Sequence, residues 1–323
     1  MLALMTTYAA NLEDIQAAAA RIAGGVHRTP VLTSSALDAR ANRSLFLKCE
    51  NFQKIGAFKM RGALNAVMLL DDDAARCGVV THSSGNFAQA VALSARVRGI
   101  PAHIVMPENA PEVKRQAVVG YGARVIQCPA TLPDRQRTAD AVKAETGATF
   151  LHPYNQGEVI AGQGTVALEL MEQVADLDAV IVPVGGGGLI GGIALALHEL
   201  APHVRVFGAE PLGADDAARS KAAGELIPQT GPNTIADGLL TSLGDLTWPI
   251  VRDLVEEIVT VDEDEIVDAM RFIWERMKII IEPSCATAVA VAWSERFARH
   301  EGLERVGIVI TGGNVDLGKL PWS

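Results

Sequence analysis

The chain has 323 residues, of which 49% are hydrophobic and 20% charged, with a formal net charge of -10. This composition excludes the charged, aliphatic-poor signature of disorder and makes nucleic acid and anionic membranes poor partners. The length admits two ordinary domains or one large α/β domain, and the acidic balance singles out no substrate.

In chain order, the N-terminal segment lacks a basic n-region and carries Glu13 and Asp14, which argues against a signal peptide. Cys49, Cys77, Cys128 and Cys285 are widely spaced with no C-x-x-C pair. Neither a zinc site nor a disulfide framework is written there, and a reducing cytoplasm is the expected compartment. Short β-branched runs read as strands: "SLFLKCE", "GVVTHSS", "AHIVMP", "ARVIQC", "TFLHPY", "AVIVPVG", "RVFGAE", "EIVTV" and "VGIVITGG". Between most of them the apolar residues recur at helical spacing, as in the stretches from Asn86 and from Gly164. Continuous apolar strands alternating with helices predict an α/β fold of parallel-rich sheets flanked by helices. The compact run from Cys77 to Tyr154 suggests a smaller inserted α/β domain, 77–154, with 1–76 and 155–323 forming a larger one and a cleft between them.

Ala179 to Leu197 is an uncharged run long enough to span a bilayer, but Pro183 and the glycines after it would open a helix in mid-membrane. It reads instead as a buried strand, a glycine loop and a helix. Gly185, Gly186, Gly187 and Gly188 would present backbone N–H groups at a helix N-terminus with no side chain in the way, which is a phosphate site. Gly186, Gly188 and Gly191 also spell G-x-G-x-x-G, with Glu210 about 20 residues on at the end of the next strand. On this evidence an NAD-dependent oxidoreductase competes.

Lys59 stands between Phe58 and Met60 in "IGAFKMRGAL". A lysine in apolar surroundings has a lowered pKa and can act as a nucleophilic amine, whereas a lone helix-face lysine simply reaches water. Its company decides. "GAFKMRGA" with Lys59, "SSGNFAQA" from Ser83, "VGGGGL" from Val184, "EPSCATA" from Glu282 and "TGGNVD" from Thr311 occur together, with "HPYNQGEVIAGQGTVALE" from His152, "EPLGADDA" from Glu210 and "TIADGL" from Thr234. The chain resembles the fold type II pyridoxal 5'-phosphate (PLP) enzymes, in particular the serine/threonine dehydratase and serine racemase branch, over nearly its whole length.

The resemblance implies a two-domain fold of the tryptophan synthase β type and PLP as cofactor. It implies that Lys59 binds PLP covalently, flanked by Phe58, that Gly185 to Gly188 and Leu189 hold the phosphate, that Asn86 meets the ring hydroxyl and that Thr311 meets the pyridine nitrogen. The substrate carboxylate would rest on Ser83, Ser84, Gly85, Asn86 and Phe87. The implied reaction is dehydration of a β-hydroxy amino acid of the serine or threonine type to a 2-oxo acid and ammonia, with Lys59 taking the Cα proton. Ser84 would serve as the opposite-face acid or base for racemization, and serine racemase is accordingly an alternative. Glu210, Ala214 and Asp216 match positions that bind Mg²⁺ or Ca²⁺; the plain alternative is a helix cap at Asp215 or Asp216.

Three residues depart from the family pattern: Ala57 for serine, Phe87 for histidine and Cys285 for glycine. Phe87 suggests either repacking or a pocket adjusted to another substrate. Arg135, on a loop after "CPATLPD", could pair with a second carboxylate as in 3-hydroxyaspartate, and Phe87 leaves open an aromatic β-substituent as in phenylserine, so dehydratases specific for either are further alternatives. The chain stops soon after "TGGNVDLGKL", so no effector domain of the biosynthetic threonine deaminases is expected. The expected partners are a small amino acid substrate and a second copy of the chain.

Overall fold

The computed structural model describes residues 8–110 and 112–322, so residues 1–7 of the segment weighed as a leader lie outside the described residues. The strands are β1 (Val31–Leu32), β2 (Ser44–Cys49), β3 (Val79–His82), β4 (Ala102–Pro107), β5 (Arg124–Cys128), β6 (Thr149–Phe150), β7 (Ala179–Pro183), β8 (Arg205–Pro211), β9 (Glu257–Val261) and β10 (Arg305–Ile310). They form a six-stranded sheet of order β1-β2-β10-β7-β8-β9 and a four-stranded sheet of order β5-β4-β3-β6. Only β1 pairs antiparallel; every other neighbour is parallel. The fully buried run of β7 is what a parallel strand covered on both faces requires.

Parallel pairing aligns strand ends, and that alignment makes the site. β2 and β10 finish in register at Cys49 and Ile310, and β7 and β8 pair up to Pro183 and Ala209. Thr311, the glycine loop and Glu210 therefore emerge along one edge of the larger sheet, the carboxyl edge where open α/β sheets bind ligands. The Ser83 loop leaves the matching end of β3 in the second sheet. The Ala179–Leu197 run is strand, glycine loop and helix as read, and no helix among the described residues is long and apolar enough to cross a membrane.

The helix that begins with the singled-out lysine, Lys59–Leu69, packs against the helices Asn86–Arg98 and Gly157–Gln173. Gly62 and Gly162 allow the close crossing: a Cβ on Gly162 would lie 2.6 Å from the Gly62 Cα. No side chain caps the start of the lysine helix. It is fixed instead from behind, because Arg61, two residues on and so about 200° around the helix from Lys59, projects away from it.

Arg61 enters a sealed ionic cluster. Its Nε and Nη2 donate to Glu50 at 2.7 and 2.8 Å, and Nη1 and Nη2 donate to Glu169 at 2.8 and 3.0 Å. Lys48 Nζ donates to Glu169 at 2.6 Å, and Thr29 Oγ1 donates to Glu50 at 2.5 Å. Two cations and two carboxylates balance, with Lys48, Glu50 and Arg61 all fully buried. Removing one partner of such a set leaves a buried charge unpaired. Arg61→Met should cost about 3–5 kcal/mol of stability in chemical denaturation; a loss below about 1 kcal/mol would mean the cluster does not hold the helix.

Candidate active site

Lys59 opens its helix facing the cleft, partly exposed. Its Nζ donates to the Pro153 carbonyl at 2.7 Å and lies 5.0 Å from the centre of the Phe58 ring and 5.7 Å from that of Phe87. Burial among these groups lowers the pKa to about 8, against the opposing pull of the Glu282 charge. About one amine in ten is then neutral at pH 7, where an ordinary lysine is almost wholly charged. Phe87, 2% exposed, belongs to the core around the lysine helix and at the same time turns its ring toward the amine.

Pro153 and Tyr154 belong to a turn braced by its own side chains. The His152 N–H donates to Gln156 Oε1, and His152 Nδ1 accepts from the Asn155 N–H at 2.9 Å. Burial first, and then the positive charges of His82 and Lys59, lower His152 to about 4, so the ring stays neutral and can accept. One face of this turn holds the lysine amine. On its other side Tyr154 lies against the glycine loop, where a Cβ on Gly186 would fall 2.2 Å from the ring and one on Gly188 would meet Tyr154 at 2.9 Å. Gly187 has φ +83°, which glycine alone adopts without strain. Thr247 Oγ1 donates to the Gly186 carbonyl at 2.8 Å and fixes the loop from behind.

The helix Gly188–Leu200 starts straight from that loop with no side-chain cap, so its first N–H groups are free for an anion. Leu189 offers only backbone, since its side chain is in the core. The helix Asn86–Arg98 likewise starts uncapped behind residues 83–85. The Ser83 hydroxyl accepts from Gly85 N at 3.3 Å, while the Ser84 hydroxyl has no partner among the described residues. Thr311 is joined to the lysine segment by its carbonyl, which accepts from Phe58 N at 3.0 Å, and by the bridge between Ala57 and Gly312. Its own hydroxyl is likewise without a partner among the described residues.

Contacts thus link Lys59 to Phe58 and to Phe87 beside Asn86, to Gly186 and Gly188 through the 153–154 turn, and to Thr311 through Phe58. Sequence reasoning gave no role to Glu282, Asn314, Tyr154 or Thr247. Glu282 Oε1 and Oε2 each accept from Asn86 Nδ2 at 3.2 Å, and Asn314 Nδ2 donates to Asn86 Oδ1 at 2.8 Å. Cys285, the third departure, donates its thiol to the carbonyls of Glu282 and Gly312 and so ties this corner together.

Two expectations are corrected. Arg135 lies in the first turn of the helix Leu132–Thr146 and not on a loop. The guanidinium Nε is buried without a partner, and neighbouring Gln136 bonds His82 at 3.0 Å, just before the Ser83 loop. Neither Asp215 nor Asp216 caps the helix Asp216–Ala223; the Glu210 carboxylate does, accepting from Ala217 N at 3.1 Å and Ala218 N at 2.8 Å. A fully buried Glu210 committed to that helix cannot reach a ribose, so the dinucleotide fingerprint lacks its acidic partner.

Asp216 Oδ2 accepts from Leu243 N at 3.0 Å, and Leu243 in turn packs against Gly187. Its Oδ1 is buried without a partner. Burial pushes Asp216 up to about 6, and burial followed by the Asp216 charge raises Glu210 well above its usual value. Glu210, Ala214 and Asp216 therefore lie behind the glycine loop, apart from the cleft.

The comparisons with known proteins agree with this geometry. Residues 22–312 match the family described as pyridoxal-phosphate dependent enzyme. The chain belongs to that family. It is 54% identical to a serine racemase of Oryza sativa subsp. indica over 97% of this chain and 93% of the relative. It is 51% identical to a beta-hydroxyaspartate dehydratase of Paracoccus denitrificans over 98% of this chain and all of the relative. The solved structure of maize serine racemase superposes with a TM-score of 0.95 at 52% identity, covering 96% of this chain and 95% of that one. The fold is that of the fold type II PLP enzymes.

Proposed function

We propose that this PLP-dependent enzyme is a dehydratase of β-hydroxy amino acids. The observation that carries the reading is the pairing of a desolvated lysine amine with an uncapped glycine loop across one turn, Pro153 bonding the first and Tyr154 packing on the second. A Cβ on any residue from 186 to 188 would meet protein within 3 Å, so the loop fits a group that needs bare backbone. Lys59 would hold the cofactor aldehyde, residues 185–189 its phosphate, Asn86 its ring oxygen and the free Thr311 hydroxyl its pyridine nitrogen. PLP, when bound, supplies a sink for the electrons left at Cα.

The protein's own part is to bind, orient and move one proton. The uncapped helix behind residues 83–85 receives the substrate carboxylate. The Lys59 amine, neutral in useful amount because burial lowers its pKa, takes the proton from Cα. The Cα–H and Cβ–OH bonds break, water leaves, and the released enamine takes up water to give a 2-oxo acid and ammonia.

A second reading, specificity for 3-hydroxyaspartate, is favoured by Arg135, whose Nε is buried without a partner and whose neighbour Gln136 bonds His82, just ahead of the carboxylate loop. Serine, threonine, 3-hydroxyaspartate and phenylserine should be assayed for 2-oxo acid and ammonia, with D-serine formation followed in parallel. Dehydration predicts equal yields of the two products and their loss in Lys59→Ala. Arg135→Ala should raise KM for 3-hydroxyaspartate roughly 10- to 100-fold while changing that for serine little, the range for one charged hydrogen bond. Equal effects on both would refute the second reading, and no turnover of any of the four would refute the first.

We also propose that Glu210, Asp216 and the Ala214 carbonyl hold a hard cation such as Mg²⁺ or Ca²⁺. The buried, unpartnered Asp216 Oδ1 fits an oxygen-ligated ion. Chelation should lower the melting temperature by several degrees, and Asp216→Asn should abolish the response. An unchanged melting temperature would exclude the site.

A further inference from the structure

The Asn86 carboxamide sits in a network with one self-consistent orientation. Its Nδ2 faces both Glu282 oxygens at 3.2 Å, and its Oδ1 accepts from Asn314 Nδ2. Asn314 cannot turn to suit it: Nδ2 also donates to the Ile55 carbonyl at 2.7 Å, and its backbone N–H donates to Glu282 Oε2 at 3.3 Å. Nor can Glu282 swing away. Its backbone N–H donates to the Gly312 carbonyl at 3.0 Å, and its carboxylate lies so close over Gly312 that a Cβ there would meet it at 2.6 Å.

An ionised carboxylate only accepts hydrogen bonds, and an amide nitrogen carries two hydrogens. Facing Glu282 with one of them, Asn86 keeps the other N–H free, since Nδ2 has no further partner among the described residues. A protonated Glu282 still accepts through one oxygen, but Nδ2 is equidistant from both, so a proton on either oxygen in the usual syn position points at the Asn86 NH₂. Asn86 could accept only by turning over, which would set its NH₂ against the Asn314 NH₂, two donors face to face. Either the network breaks or the free N–H leaves the cleft.

We propose that Glu282 is a positioning residue: its ionised carboxylate selects the Asn86 orientation that offers an N–H to the cofactor ring, and protonation withdraws that donor. This rests on the PLP reading above. The charged and titratable groups facing Glu282 come from four elements. Asp237 and Lys114 are paired with each other at 2.7 Å, Lys59 lies on its own helix, and the Cys285 thiol donates to the Glu282 carbonyl. Burial, and next the Asp237 charge, push Glu282 up to about 7. The donor is therefore present above about pH 7 and lost as the pH falls through it.

The test uses 4'-deoxypyridoxine 5'-phosphate, which lacks the aldehyde and so cannot react with Lys59. Its dissociation constant would be measured by fluorescence for the full-length protein, Glu282→Gln and Asn86→Ala between pH 6 and pH 8, with thermal unfolding of each. Glutamine does not titrate, and the ligand's own ionisation cancels in the comparison. From pH 8 to pH 6 the native protein should weaken about tenfold more than Glu282→Gln, the change in the ionised fraction for a group near 7. Asn86→Ala, which has no donor to withdraw, should follow Glu282→Gln and keeps the test available if the glutamine variant does not fold. Parallel curves for native protein and variants would overturn the inference while leaving the PLP reading intact. Failure of the native protein to bind the analogue at any pH would overturn both.

Discussion

The constraint on which the site depends is an ammonium group held among aromatic rings with only partial access to water. A charged amine among Phe58, Phe87 and the 152–154 turn is costly to keep, and the chain compensates with one carbonyl, that of Pro153, at 2.7 Å. The result is an amine ready to lose its proton near neutral pH, which covalent bonding to an aldehyde and abstraction of a Cα proton both need. The buried Arg61 cluster serves the same end from the opposite side of the helix. It anchors the first turn without any charged side chain entering the cleft.

The second constraint is close approach of backbone to ligand. Tyr154 and Thr247 leave no room for side chains on the glycine loop, and Leu243 links that loop to Asp216 and so to Glu210. A cation at Glu210 and Asp216 would thus act on the loop through packing, at a remove from the chemistry. Phe87 is buried in the core beside the amine, and Arg135, in the helix Leu132–Thr146, keeps a buried Nε without a partner.

Much of this was legible in the sequence because parallel strands buried on both faces must be continuously apolar, and all nine runs read as strands fall on β2 to β10. β1, only two residues long, has no periodicity to read. The helix read from Gly164 begins earlier, at Gly157, because a glycine-rich start hides its apolar face. What stayed hidden was pairing between distant segments. Glu282 stands 196 residues from Asn86, and nothing in "EPSCATA" says which amide it will face. Glu210 was legible as an acidic strand end, yet nothing in the sequence says that it accepts from the first N–H groups of the following helix, which need an acceptor while Asp215 is engaged by Arg219.

The central claim is that Lys59 is the lysine that binds PLP and that burial makes it reactive. The most direct test is borohydride reduction of the cofactor-free protein mixed with PLP, across pH 6 to 11, with peptide mapping of the pyridoxyl adduct. The account predicts one dominant adduct, on Lys59, formed at a rate that rises with pH to a half-maximum near 8, the value to which burial lowers this amine. Adducts spread over other lysines, or a Lys59 adduct with its half-maximum above pH 10, would contradict it.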